Sequence, residues 1–223
     1  MRIPKLSASI MCADLLHLGT DIEILIDNQI DYLHFDIMDS HFVPSIGFGT
    51  FLLEQITAAY DIPLDVHLMV TNPENFIDEL IAAGASLITI HLESVTHVNE
   101  CLRRINNGGG KIGIALKPET PITAVEPFLD KINQILLMAY PPGIKNQKTM
   151  DNFGEKVYET VKFLDDRAKH SIDIAIDGGL SVDHLQKYHE LGANFFILGS
   201  TGLFINGTPL QKQIEIVQSV IKR

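Results

Sequence analysis

At 223 residues and 24.8 kDa, with 46% hydrophobic and 20% charged residues, the chain has the size and balance of one globular α/β domain that needs no disulfides. A net charge of −11 and a pI near 5.2, with no Lys/Arg-rich run, argue against nucleic-acid binding. No uncharged apolar run reaches membrane-spanning length, and Met1-Arg2-Ile3-Pro4-Lys5 lacks the apolar core of a signal peptide, so a cytoplasmic protein is expected.

In chain order, strand-like apolar runs alternate with amphipathic helical stretches. Strands are expected at 5–10, 31–38, 63–69, 87–92, 111–116, 133–138, 172–176 and 195–199. Helical stretches lie near 14–28, 49–59, 74–83, 97–107, 121–129, 151–168, 181–191 and 209–222. Alternation of this kind implies parallel strands with right-handed crossovers. Eight units suggest a closed (β/α)8 barrel spanning 1–223 as one domain, with an open doubly wound sheet as the other solution. Asn72-Pro73-Glu74 reads as a helix start, with Asn72 capping a proline in the first turn. The steps Gly84-Ala85 and Gly192-Ala193 read as helix stops at equivalent points of the repeat. Cys12 and Cys101 are far apart, in no paired motif, and read as free thiols.

Side chains alternate along a strand, so His34, Asp36 and Met38 share a face, as do His67 and Met69. Asp177 closes the seventh apolar run just before Gly178-Gly179. In a barrel the C-terminal strand ends form the active-site mouth, where polar groups require a reason. Two imidazoles and two carboxylates, His34, Asp36, His67 and Asp177, suit one divalent ion: Zn²⁺, Fe²⁺, Mn²⁺ or Co²⁺. Spacing alone does not bring them together, and a lone strand-end histidine is more often structural. His91 and Glu93 also share a face but are assigned no metal.

The segments Ser7-Ala8-Ser9-Ile10, His34-Phe35-Asp36-Ile37-Met38-Asp39-Ser40-His41-Phe42-Val43-Pro44 and Asp65-Val66-His67-Leu68-Met69 resemble the motifs of the ribulose-phosphate 3-epimerase family. Asp177-Gly178-Gly179 and Gly199-Ser200 continue the match in order. The resemblance implies a ribulose-phosphate-binding TIM barrel, and a metal-dependent isomerase that epimerises a phosphorylated ketose at C3. It implies that His34, Asp36, His67 and Asp177 hold one metal, and that Asp36 and Asp177 exchange the proton. It places Ser9 and His67 against substrate, and Met38, Met69 and Met138 beside the reacting carbons, where they keep water away; on sequence alone these methionines fit equally well as core filler. Gly178, Gly179, Gly199 and Ser200 follow strands seven and eight, where such barrels hold phosphate. After strand six, Gly143 and Gln147 fit the family's glycine-rich segment, but Lys145 and Asn146 replace glycines: either Lys145 pairs with the phosphate, or the loop is simply stiffer. Ser40 likewise stands where the family has glycine.

The segments Ser9–Leu16, His67–Thr71 and Gly199–Phe204 look closer to the allulose-6-phosphate 3-epimerase branch, a resemblance that implies D-allulose 6-phosphate and D-fructose 6-phosphate as substrates. The general branch implies D-ribulose 5-phosphate and D-xylulose 5-phosphate. Association into a homo-oligomer is implied too. Two other readings fit the residues: a metal-independent phosphate-binding barrel lyase or isomerase, and a non-catalytic sugar-phosphate-binding barrel.

Overall fold

A computed structural model of the chain describes residues 2–144, 149–150 and 152–221. Eight parallel strands pair in sequence order and close on themselves: β1 (Lys5–Ser9), β2 (Tyr32–Met38), β3 (Leu64–Met69), β4 (Leu87–His91), β5 (Lys111–Leu116), β6 (Gln134–Met138), β7 (Asp173–Asp177) and β8 (Phe195–Leu198). Each lies within a residue of its expected bounds, and closure decides against the open sheet. Among the described residues seven α-helices pack outside: α1 (Leu18–Asp27), α2 (Thr50–Ala59), α3 (Ile77–Ala82), α4 (Val98–Asn107), α5 (Phe153–Asp165), α6 (Val182–Leu191) and α7 (Leu210–Val220). Among the described residues no helix is long and apolar enough to cross a membrane.

Two helical expectations are corrected. The stretch after β5 forms 3-10 turns over Ile122–Phe128 instead of an α-helix, because Pro127 inside it supplies no N–H and clashes with the preceding turn. The first helix begins only at Leu18, since a 3-10 turn at Ile10–Cys12 and a turn closed by the Asp14 carboxylate occupy the preceding residues. Asn72 also acts differently from a side-chain cap: it makes no capping bond, but takes the left-handed conformation (φ 54°) and turns the chain into Pro73. The Gly84 and Gly192 stops adopt φ 94° and 112°, conformations that a Cβ disfavours.

The period of two divides each strand's work. Leu33, Phe35 and Ile37 of β2, Val66 and Leu68 of β3, and Ile88 and Ile90 of β4 face outward into one continuous core beneath the helices. Tyr32, Leu87, Ala115, Leu136, Met138, Ala175, Phe195 and Ile197 form a second cluster, packed inside the barrel. His34, Asp36, His67 and His91 fall on these inward positions near the C-terminal end, where β2 and β3 run in register with Asp36 opposite His67.

The segment after β2 turns back along that strand. Gly47 N–H donates to Met38 O at 3.1 Å and Phe48 N–H to Asp36 O at 3.0 Å. A Cβ at Gly47 would lie 2.5 Å from Asp36 O and 2.7 Å from Met38 N, both backbone atoms that cannot swing aside. Gly47→Ala therefore forces this return segment off β2. The expected loss is about 1–3 kcal/mol, read as a Tm lowered by roughly 2–4 °C per kcal/mol in thermal denaturation; an unchanged Tm would contradict the packing described.

Candidate metal centre and mouth cavity

Four side chains from three strands converge at the C-terminal mouth. His34, Asp36, His67 and Asp177 each offer one ligand atom, and these atoms all lie within 4.8 Å of one another. His34 and His67 are fully buried, Asp36 nearly so, and Asp177 is partly exposed to the mouth. Asp36 Oδ1 lies 3.2 Å from His34 Nε2 and 3.5 Å from His67 Nδ1, and Asp177 Oδ2 lies 3.7 Å from that same Nδ1. His34 Nε2 and His67 Nδ1 are buried yet make no hydrogen bond within the described residues. Buried polar atoms are ordinarily satisfied. Two such atoms aimed at a pair of carboxylates are what a bound cation satisfies, so the donor set fits a divalent ion held by two nitrogens and two oxygens.

The far side of each imidazole is fixed. His34 Nδ1 lies 2.7 Å from Asp65 Oδ2, which also accepts the Ser7 hydroxyl at 3.0 Å. A carboxylate only accepts, so Nδ1 carries a hydrogen, and Nε2 is the ring atom left to face the cage. His67 Nε2 faces His91 Nε2 at 2.9 Å, and His91 Nδ1 faces Glu93 Oε2 at 3.2 Å. Burial pushes His91 down to about 4, so it is neutral at physiological pH. Glu93 would be raised by burial, but hydrogen bonds from His91, Thr120 and the Lys117 N–H hold it at about 2, ionised.

The two cage carboxylates differ. Burial works to raise Asp36, but the two imidazoles beside its Oδ1, His34 foremost, hold it well below the ordinary carboxylate range. Burial raises Asp177, and the neighbouring Asp36 and Asp65 charges add to it. The two carboxylates thus differ in proton affinity, Asp36 ionised and Asp177 holding a proton more readily, an asymmetry that acid–base chemistry on two faces can use.

A cavity of about 310 Å³ opens above the cage. Of the residues expected at the site, Ser9, Asp36, Met38, Met69, Met138, Gly143, Asp177, Gly179, Gly199 and Ser200 line it. His34 and His67 sit beneath its floor, and Gly178 lies behind Tyr140, whose ring a Cβ there would touch at 3.0 Å. Lys145, with Asn146 and Gln147, lies outside the described residues. Ser9 Oγ donates to Asp36 Oδ2 at 3.2 Å. Met38 and Met69 pack with Val43, Met11 and Phe42, and Met138 belongs to the inner barrel cluster.

Sequence reasoning passed over Cys12, Ser45, Tyr140 and Thr201, which also line the cavity. Asp65 was findable, since it precedes His67 by two residues and so shares its inward face. The loops over the mouth are tied together. Ser45 Oγ donates to Gly143 O at 2.7 Å, linking the β2 and β6 loops. The Asp39 carboxylate accepts the N–H groups of His41 and Phe42, and both the N–H and hydroxyl of Thr71. Ser40 adopts a left-handed φ of 60°, which glycine would take freely, at a cost of about 1–2 kcal/mol.

A sequence model of the "Ribulose-phosphate 3 epimerase family" matches residues 5–204. The ribulose-phosphate 3-epimerase of Bacillus subtilis (strain 168) is 34% identical over 196 residues, covering 88% of this chain and 90% of the relative. That of Buchnera aphidicola from Acyrthosiphon pisum is 39% identical over 201 residues, covering 89% and 87%. That of Escherichia coli (strain K12) is 34% identical over 196 residues, covering 87% of each. Among solved structures, 3-hexulose-6-phosphate synthase from Salmonella typhimurium superposes with a TM-score of 0.72 at 15% identity, covering 97% of this chain and 98% of that one. KGPDC from Streptococcus mutans gives 0.71 at 17% identity, covering 100% and 99%. At such identities the structural likeness speaks for the barrel alone.

Proposed function

The chain belongs to the ribulose-phosphate 3-epimerase family, and from that premise we propose that it interconverts D-ribulose 5-phosphate and D-xylulose 5-phosphate, with Asp36 and Asp177 as its two proton carriers. The observation that carries this reading is the cage itself. Two carboxylates of unlike proton affinity and two unsatisfied imidazole nitrogens meet under one cavity.

Epimerisation removes the C3 proton next to the C2 carbonyl and leaves a planar enediolate. Ionised Asp36 takes the proton from one face, and Asp177 gives one to the other; in the reverse direction the roles exchange. His34 Nε2, His67 Nδ1 and one oxygen from each aspartate would hold a divalent ion, with Zn²⁺, Fe²⁺, Mn²⁺ and Co²⁺ all suited to such a set. When bound, that ion supplies positive charge for the oxygens of the enediolate. Ser9 orients Asp36 through its hydroxyl. Met38, Met69 and Met138 present an apolar, polarisable wall over the reacting carbons, which keeps water from protonating the intermediate. The turns carrying Gly179, Gly199 and Ser200 provide backbone that a phosphate can approach closely.

The names of the relatives favour the pentulose pair. The segments shared with the allulose-6-phosphate 3-epimerase branch support a second reading, in which a hexulose 6-phosphate fills the cavity. Comparing kcat/KM for purified D-ribulose 5-phosphate and D-allulose 6-phosphate decides between them: the pentulose is expected to win, and a preference for the hexulose reverses the assignment. Exchange of the C3 proton with deuterium from solvent tests the chemistry common to both. A protein that is stabilised by either ketose phosphate yet never exchanges C3 is a binding barrel and no epimerase.

A further inference from the structure

Behind the cage, His91 and Glu93 take no part in the proton transfers described. His91 is fully buried and stacks on His67, with ring centroids 5.0 Å apart and planes 27° from parallel. The contact between the two Nε2 atoms, 2.9 Å long, requires a single hydrogen between them. Glu93 decides which ring owns it. Its carboxylate accepts, so His91 Nδ1 carries a hydrogen; enclosed between the His67 and Phe42 rings with no exposure to solvent, the ring keeps that single hydrogen and presents a bare Nε2. The shared hydrogen must sit on His67 Nε2, which leaves the His67 lone pair on Nδ1, the atom that faces Asp36 and Asp177.

We propose that Glu93 and His91 are positioning residues: a buried relay that sets the tautomer of His67 and delivers Nδ1 unprotonated to the metal cage. The inference deepens the metal-site reading and rests on it. It differs from the arrangement at His34, which meets its carboxylate, Asp65, directly.

The relay is braced from outside the barrel. Glu93 Oε1 accepts the Lys117 N–H at 2.8 Å and the Thr120 hydroxyl. That loop is gripped by α5, where the Lys156 ammonium donates to the carbonyls of Lys117, Pro118 and Thr120 at 2.6, 2.8 and 2.9 Å. Phe42 covers His91 with ring centroids 5.0 Å apart, and the Lys117 ammonium lies 4.4 Å from the Phe42 ring centroid. Water is thereby kept from the one hydrogen whose location matters.

The brace also dictates how a variant must rearrange. In Glu93→Gln the amide oxygen must stay on the Lys117 side, because a backbone N–H only donates. The amide NH₂ then faces His91 Nδ1, which becomes an acceptor. The His91 hydrogen moves to Nε2, His67 Nε2 must accept it, and the hydrogen of His67 appears on Nδ1, inside the cage. Nitrogen-15 NMR of histidine-labelled, metal-free protein is expected to show His67 protonated on Nε2 in the wild type and on Nδ1 in Glu93→Gln. Zn²⁺ affinity, measured against a chromophoric chelator, should fall about 10–100-fold. His91→Phe keeps the ring volume and removes the acceptor; a mixed His67 tautomer and about 10-fold weaker Zn²⁺ binding are expected. A wild-type His67 protonated on Nδ1, or variants that keep both tautomer and Zn²⁺ affinity, overturn the relay. Failure of the wild type itself to bind Zn²⁺ would instead overturn the metal site, while the NMR readout still judges the relay.

Discussion

Asp36→Asn and Asp177→Asn are each expected to lower kcat for epimerisation by about 10²–10⁴-fold, the usual worth of a positioned acid or base. Asparagine matches aspartate in volume, so the cavity keeps its shape while the proton carrier is lost. The two losses should not look alike. With one carboxylate left, a proton can still leave and return on that carboxylate's face alone. Each variant therefore exchanges the C3 hydrogen of one epimer with deuterium oxide without inverting it, and the two variants should select opposite epimers. The asymmetry of the wild-type pair, with Asp36 held ionised and Asp177 raised by burial and by its anionic neighbours, is the structural ground for expecting two distinct faces. Both aspartates also offer an oxygen to the proposed metal cage, so metal content must be measured in each variant. A variant with full metal content that still inverts C3 at the wild-type rate would remove the roles assigned here.

The strands were legible because each carries a short apolar run in which one face must pack helices and the other the barrel interior. Leu33, Phe35 and Ile37 against His34 and Asp36 show that division within a single strand. The four-residue cage was legible as a list of residue types at strand ends; its convergence was not, because it depends on barrel closure and on Asp36 standing opposite His67. The relay was less visible still. His91 and Glu93 could be seen to share a face, but β3–β4 pairing sets His67 opposite Thr89, and only the three-dimensional stagger lets the His91 ring reach across to His67. Proline explains the missed 3-10 turns after β5, a local effect that hydrophobic periodicity hides. The loop contributions of Cys12, Tyr140 and Thr201 had no periodic signal to betray them.

Removing the divalent ion with a chelator is expected to abolish activity, by about 10³-fold or more, and to lower the Tm without unfolding the barrel. A single preorganised donor to a developing oxyanion is worth about 10²–10³ in kcat, and a full cation at the same oxygens should exceed it. The stability argument is independent of turnover. In the metal-free cage two buried imidazole nitrogens lack partners, each at a cost of about 1–3 kcal/mol, and Asp36 and Asp177 face each other without an intervening positive ion. An ion that binds only the folded chain, supplied at 100 times its Kd, contributes about 2.7 kcal/mol. At roughly 2–4 °C per kcal/mol for a chain of this size, the Tm should rise by roughly 5–10 °C on reloading. Far-UV circular dichroism should barely change, because the ladders between β1 and β8 and the core under the helices hold the barrel without the ion. Ions that favour mixed nitrogen and oxygen ligands, Zn²⁺, Mn²⁺, Fe²⁺ or Co²⁺, should restore both readouts better than Mg²⁺, which prefers an all-oxygen octahedron. If the Tm and the rate both ignored chelation, the unsatisfied nitrogens of His34 and His67 would have to be explained by bound water, and the phosphorylated ketose would be left with two carboxylates and no cation to balance the charge formed on its oxygens.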